Sequence, residues 1–122
     1  MVLNRSQVED PKLPQQVEPV PELGGDVIVR GLLLSARMEL DDINEKAKVP
    51  LEGETDEEAR IRAGKLVVPR MLNATVVDDE GHPIFTIGQW DVFGGAHRGT
   101  TFRLFEIALR MSGRIAEEVR KN

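Results

Sequence analysis

The sequence contains no cysteine among its 122 residues. This absence excludes disulfide bonds, thiolate metal ligands and cysteine nucleophiles, and it agrees with a reducing compartment. No apolar run approaches the roughly 20 residues that a membrane-spanning helix needs, and residues 1–16 lack the apolar stretch of a secretory signal. We therefore expect a protein that does not enter a membrane and stays in the cytoplasm where it is made.

Aromatic residues and positive charge are also scarce. Four Phe, one Trp and no Tyr leave most of the core to aliphatic side chains. The net charge is −5, which disfavours nucleic acid as a partner because a phosphate backbone selects basic surfaces. Residues 1–61 carry 7 Lys/Arg and 14 Asp/Glu, whereas residues 62–122 carry 9 and 7. An acidic first half and a mildly basic second half can attract each other.

The length and the periodicity together predict one domain. A flexible lead-in over residues 1–16 is expected to precede a single domain over residues 17–122. The predicted fold class is α+β and predominantly α, with an N-terminal β-hairpin followed by a small bundle of four to five helices. Helices are predicted at about residues 35–48, 55–77, 87–93, 100–112 and 114–121.

The hairpin is predicted over residues 17–32. Apolar and polar residues alternate on both sides of a glycine pair, Gly24-Gly25, which supplies the positive φ angles of a tight turn. Pro19 and Pro21 cannot donate ladder hydrogen bonds, so the first strand is predicted to lie at a sheet edge. Its free edge is a candidate contact surface for another chain.

Local signals locate the helices. Ser35 is the predicted N-cap of the first helix, and Thr55 opens a capping box at the start of the second. Pro69 lies within this second, central helix and removes a backbone donor there, which predicts a kink near Pro69. Gly94 and Gly95 are predicted to end the next helix.

The fourth predicted helix, residues 100–112, is apolar over a broad face. Phe102, Phe105 and Leu109 recur at helical spacing, which favours a place in the core. In the first helix, Met38, Ile43 and Ala47 are predicted to share an apolar face.

No group of residues indicates catalysis or metal binding. His82 and His97 have no second ligand three or four residues away, and Asp91, His97 and Ser112 lack a nucleophile motif. The glycine-rich segment that begins at Gly94 lacks the ending of a phosphate-binding loop. We therefore predict no catalytic residues, no metal and no cofactor, and a protein that is not an enzyme.

Two charged regions are candidate protein-interaction sites. Residues 39–58 hold nine carboxylates and two lysines without the spacing of an EF-hand, so they form either a solvated helix face or a docking patch for a basic partner. The C-terminal region carries a complementary basic cluster and two apolar residues that we expect to contact a partner. The candidate residues are Glu39, Asp42, Glu45, Arg110, Arg114, Ile115, Val119 and Arg120.

Four stretches occur in a recognisable order: VPELGGDVIVRGL, ARIRAGKLVVPRMLNATVVDDEGHPIF, FRLFEIALRMSG and EEVRKN. With them, residues 17–122 resemble the tail assembly chaperones of long-tailed bacteriophages. The resemblance implies a non-enzymatic protein of the bacterial host cytoplasm that coats the tape-measure protein, keeps it soluble and helps to recruit tail-tube subunits. It also implies absence from the finished virion, and often a longer form made by ribosomal frameshifting.

The charge asymmetry suggests how subunits can coat a rod-shaped client. If the acidic patch of one subunit meets the basic region of the next, the contact is heterologous and can repeat into rings or spirals. Three alternative functions stay open at this point: a small structural head-tail connector or minor tail protein retained in the virion, an enzyme, and an acidic regulator that mimics nucleic acid.

Overall fold

The computed structural model describes residues 1–113, and it contains a three-stranded antiparallel sheet and five α-helices. The strands are β1 (Gln15–Val20), β2 (Gly25–Arg30) and β3 (Val76–Val77). The helices are α1 (Leu34–Lys46), α2 (Asp56–Gly64), α3 (Val67–Thr75), α4 (Ile87–Ala96) and α5 (Arg98–Met111). This architecture confirms the predicted α+β class with an N-terminal hairpin. The predicted helix over residues 114–121 lies outside the described residues.

The hairpin begins and turns differently from the prediction. Its register pairs Gln15 with Arg30 and Val20 with Gly25, so β1 begins within the segment predicted to be a flexible lead-in. A short 3-10 turn, Pro21–Leu23, connects the strands, and only Gly24 has a positive φ, of 82°. The prediction of a turn made by the glycine pair was wrong, because a longer loop needs one left-handed residue at its end.

The sheet order is β1-β2-β3, so β1 lies at an edge as predicted. The third strand was missed, since Val76 and Val77 continue the apolar pattern of the helix before them. Both are buried and pair with Val29 and Ile28 of β2. Contact with a strand far away in the sequence decides their conformation, which local propensity cannot show.

The predicted central helix is two helices. α2 ends at Gly64 and α3 begins at Val67, with Leu66 between them at φ −106° and ψ 3°. Pro69 is the third residue of α3, where a backbone N–H has no acceptor within the helix, so its missing donor costs no hydrogen bond there. The proline is therefore compatible with the start of a new helix, whereas the prediction was a kink within one.

Two predicted helix ends also differ. Ser35 is the second residue of α1, which begins after Leu33 without a side-chain cap, so the predicted Ser35 cap was wrong. Gly94 and Gly95 lie inside α4. At Gly94 an added Cβ would lie 3.4 Å from Thr101 Cγ2, so this position of α4 faces α5.

The capping box predicted at Thr55 is present. Glu58 N donates a 3.1 Å hydrogen bond to Thr55 Oγ1, and Thr55 N donates a 3.3 Å bond to Glu58 Oε1. Thr86 and Gln89 form the same reciprocal pair at the start of α4. These bonds satisfy donors that each helix leaves free at its first turn.

The core lies between the sheet and helices α3, α4 and α5. Trp90 is fully buried, and its ring packs edge-on against Phe85 and Phe93 at centroid distances of 5.0 and 5.4 Å. Of the three α5 residues predicted to lie in the core, Leu109 is buried and Phe105 packs partly buried against the core, whereas Phe102 is 45% exposed. The buried residues of α5 are Thr101, Leu104, Ile107, Ala108 and Leu109.

Polar contacts fix the hairpin to α5. Arg103 Nη2 donates a 3.0 Å hydrogen bond to the carbonyl of Pro19, and Thr100 Oγ1 donates a 2.7 Å bond to Glu22 Oε1. The bond from Thr100 holds the pKa of Glu22 below its usual value. At the other end of α5, Gly31 lies so close to the carbonyl of Met111 that no side chain fits there.

We predict that Leu72→Ala lowers the free energy of unfolding by about 2–5 kcal/mol. Leu72 is fully buried in α3, so the substitution removes apolar contacts and leaves a cavity. Urea denaturation followed by circular dichroism measures the change. The control Leu34→Ala, at a position 77% exposed, should stay within about 0.5 kcal/mol of the original. Equal losses in the two variants would contradict this description of the core.

Candidate protein-interaction surface

The acidic candidates lie together on one helix. Glu39, Asp42 and Glu45 are all exposed on α1, on the side that faces away from the core. Positions three residues apart are neighbours on a helix surface, so the three carboxylates form one patch. We call this side, with Leu34 and Met38, the α1 outer face.

Much of the charge of this patch is balanced locally. Lys46 Nζ lies 2.9 Å from Asp42, and Lys48 Nζ lies 2.8 Å from Glu45. The hydrogen bond with Asp42 raises the pKa of Lys46. Within residues 1–113, Glu39 forms no ion pair. Glu39 is therefore the carboxylate of the patch most open to a partner's cation.

Helix α1 is weakly anchored to the rest of the domain. None of its residues is fully buried, and Met38 and Ile43, predicted to share an apolar face, are 64% and 44% exposed. Its side-chain hydrogen bond to α3 joins Arg70 Nη1 to Asn44 Oδ1 at 3.0 Å. The half-buried residue Leu40 lines a groove of about 480 Å³ between α1 and helices α3 and α5.

The exposed side of α5 is mainly basic and is called the α5 outer face. It carries Arg98, Phe102, Arg103, Glu106 and Arg110. The guanidinium of Arg98 lies 5.5 Å from the centre of the Phe102 ring, a cation–π distance. Arg103 already contacts the hairpin through Pro19, as described above, which leaves Arg98 and Arg110 as the cations more open to a partner.

The remaining predicted interaction residues, Arg114, Ile115, Val119 and Arg120, lie outside the described residues. The structure therefore places four of the eight candidates, three on α1 and one on α5. They occupy the outer faces of two different helices.

An apolar groove on α4 was missed by the sequence analysis. It has a volume of about 650 Å³ and is lined by uncharged groups and one histidine: Phe85, Thr86, Gly88, Gln89, Val92, Phe93, Ala96 and His97. Val92, in this lining, is 76% exposed. We call this surface the α4 groove.

A signal for the α4 groove was present in the sequence. Asp91 is the only charged residue between Ile87 and Ala96, so α4 is apolar on nearly all sides. A helix of that kind needs burial all round, yet Trp90 and Phe93 alone are buried on α4. The side that the core does not cover becomes the α4 groove.

The described residues contain neither a cluster of metal-ligand side chains nor a helix of membrane-spanning character. Within residues 1–113, no group of three or more His, Cys, Asp or Glu side chains is placed to hold a metal ion. No helix in that part of the chain has the length and apolar character required to span a bilayer.

Comparison of the fold with solved structures gives a distant likeness. The tail assembly chaperone of bacteriophage HK97 superposes with a TM-score of 0.53 at 15% sequence identity, over 80% of this chain and 84% of that one. The resemblance drawn from the sequence is thus confirmed at the level of the fold. No protein-family profile matches the sequence, and no curated protein sequence matches it.

We predict that the amides of α1 exchange with deuterium faster than those of α3. α1 buries no residue, whereas α3 buries Pro69, Met71, Leu72 and Thr75, so α1 can open locally without disrupting the core. Hydrogen exchange read by mass spectrometry compares the two helices directly. Equal protection in α1 and α3 would show that α1 is an integral part of the core.

Proposed function

We propose that the protein is a phage tail assembly chaperone that binds and solubilises the tape-measure protein and helps to recruit tail-tube subunits. In this proposal it acts in the cytoplasm of the bacterial host, catalyses no reaction and is absent from the mature virion. The observation that carries the proposal is the fold shared with the HK97 chaperone over most of both chains. The exposed apolar surface described above supports it independently.

The α4 groove is the proposed client site. Apolar helical stripes on a long rod-shaped protein aggregate when they are left bare, and a chaperone must present apolar surface to cover them. The α4 groove offers such a surface, because exposed Val92 lines it together with Phe93 and the small residues Gly88 and Ala96. A groove of about 650 Å³ accommodates a few apolar side chains of a client helix.

The charge of the protein has a complementary role. A net charge of −5 keeps a protein with exposed apolar surface in solution, because like-charged molecules repel each other. The same charge favours a complex that stays dispersed after the client stripe is covered.

We predict that Val92→Glu abolishes rescue of the tape-measure protein. The substitution places a carboxylate in the α4 groove, where contact with an apolar helix would strip its water without providing a partner. The affinity of the protein for the client helix should fall about tenfold or more. Co-expression with the tape-measure protein measures rescue as the soluble fraction of that client.

Ile61→Glu is the matched control for this experiment. Ile61 is 57% exposed on α2, away from the α4 groove, so the same change of charge should leave rescue intact. If the original protein fails to keep the client soluble and does not associate with it, the proposed function is wrong. If the original rescues but Val92→Glu rescues equally well, the α4 groove is not the client site.

Self-association is proposed between the α1 outer face of one subunit and the α5 outer face of the next. The first presents Leu34, Met38 and the open carboxylate of Glu39, and the second presents Phe102 beside Arg98. The contact thus places apolar residues of one face against an apolar residue of the other, and a carboxylate against a guanidinium of opposite charge. Because the two faces belong to different helices, the contact is heterologous and can repeat around a rod.

We predict that Glu39→Arg and Arg98→Glu each weaken this assembly, because each places like charges across the contact. The double variant Glu39→Arg/Arg98→Glu should recover part of the assembly, because the pair is then inverted. Light scattering at low salt measures the mean mass. Arg60→Glu, a charge reversal at an exposed position on α2, is the control and should have no effect. Unchanged assembly in both single variants would reject the proposed contact.

A further inference from the structure

The outer edge of β1 carries backbone groups that the sheet does not use. β1 is the edge strand of the sheet and pairs with β2 along one side. In an edge strand, alternate residues direct their backbone N–H and C=O groups away from the neighbouring strand. The identity of these residues decides what the edge can bind.

One hydrogen bond at the base of the hairpin fixes this alternation. Gly31 N donates a 2.9 Å bond to the carbonyl of Pro14, and the two residues continue the register of the hairpin, so they form a hydrogen-bonded pair of the ladder. By alternation, the even-numbered residues of β1 bond to β2. Gln15, Val17 and Pro19 therefore direct their backbone groups outward.

The open part of this edge is short and ends at Pro19. Proline has no N–H to donate, and the carbonyl of Pro19 already accepts the bond from Arg103 Nη2. Within residues 1–113, the outward N–H and C=O groups of Gln15 and Val17 have no hydrogen-bond partner. These two donors and two acceptors are centred on Gln16, and we call them the β1 edge site.

We propose that the β1 edge site binds the β1 edge site of a second copy of this chain. When the two strands lie antiparallel with Gln16 opposite Gln16 of the partner subunit, Gln15 lies opposite Val17 of the partner subunit. Val17 lies opposite the partner's Gln15 in the same register. Each of these pairs exchanges both of its N–H···O bonds, so every donor of the two sites meets an acceptor.

The side chains of the β1 edge site suit the same arrangement. Val17 is 60% exposed, and the pairing brings its side chain diagonally next to Val17 of the partner subunit on the outer face of the sheet. The amide of Gln16 both donates and accepts hydrogen bonds, so it can bond to its own copy. Gln15, Gln16 and Val17 carry no charge. The pairing therefore sets no like charges opposite each other, although each chain has a net charge of −5.

This contact goes beyond the proposed function. It joins two three-stranded sheets into one sheet of six strands, and because it is isologous it closes at two copies. It uses neither the α4 groove nor the charge pairing between the α1 and α5 outer faces. The contact therefore does not depend on client binding.

A cysteine at the centre of the β1 edge site tests the register. The chain has no cysteine, so Gln16→Cys introduces the only one. In the proposed pairing the two copies of position 16 form a non-hydrogen-bonded pair, whose Cα atoms lie about 4.5 Å apart, within the range of a disulfide. We predict that copper phenanthroline, with Cu(II) accepting the electrons of the two thiols, converts this variant into a disulfide-linked dimer on non-reducing electrophoresis. Asp26→Cys, at an exposed position of the central strand β2, should stay monomeric.

A proline substitution tests the backbone bonds. Val17→Pro removes an outward N–H and no bond to β2, so the hairpin should still fold. The dimer loses two of its four bonds and should weaken about tenfold or more. Val17→Thr is the matched control, because it is β-branched, keeps the N–H and should dimerise like the original. Sedimentation equilibrium in about 0.5 M salt, which screens contacts between exposed charges, measures dimerisation. Circular dichroism shows whether both variants are folded.

Three outcomes would overturn the inference: no disulfide-linked dimer from Gln16→Cys, equal cross-linking of Asp26→Cys, or equal dimerisation of the original and a folded Val17→Pro. None of them bears on rescue of the tape-measure protein. Failure of rescue, conversely, leaves the cross-linking result unaffected, so the two proposals can fail separately.

Discussion

The structure depends on the one-sided burial of α4. This helix is apolar around nearly its whole circumference, but the small domain has core for only one of its sides. Trp90 and Phe93 occupy that side, and Phe85 joins them in an aromatic cluster. Val92 remains exposed on the other side. The packing that stabilises the domain therefore also leaves an apolar groove on its surface.

Helix α1 shows a related balance between solubility and contact. Carboxylates of α1 form ion pairs with Arg37, Lys46 and Lys48, so the helix is well solvated although it also exposes Leu34 and Met38. Ion pairs at such exposed positions contribute little to stability. The ion pairs do reduce the net negative charge that α1 presents to a partner. An assembly based on α1 would thus be weak and sensitive to salt.

Local chemistry made part of the fold predictable. The reciprocal hydrogen bonds at Thr55 and the edge position of a proline-containing strand follow from neighbouring residues in the sequence, and both predictions were correct. The errors concern contacts between distant segments. Val76 is a strand residue because β2 lies beside it, and Gly94 lies within α4, on the side that faces Thr101 of α5. The acidic candidates on α1 could be placed by their spacing, whereas the α4 groove required knowing which side of α4 the core covers.

The central claim is that the side of α4 left uncovered by the core contacts the client. A photoreactive cross-linker installed in place of Val92 tests it most directly, with the same group installed in place of Ile61 on α2 as a reference. The account predicts that, in cells making both proteins, cross-links to the tape-measure protein form from position 92 and not from position 61. Cross-links that are absent from position 92, or equally abundant from both positions, would contradict it.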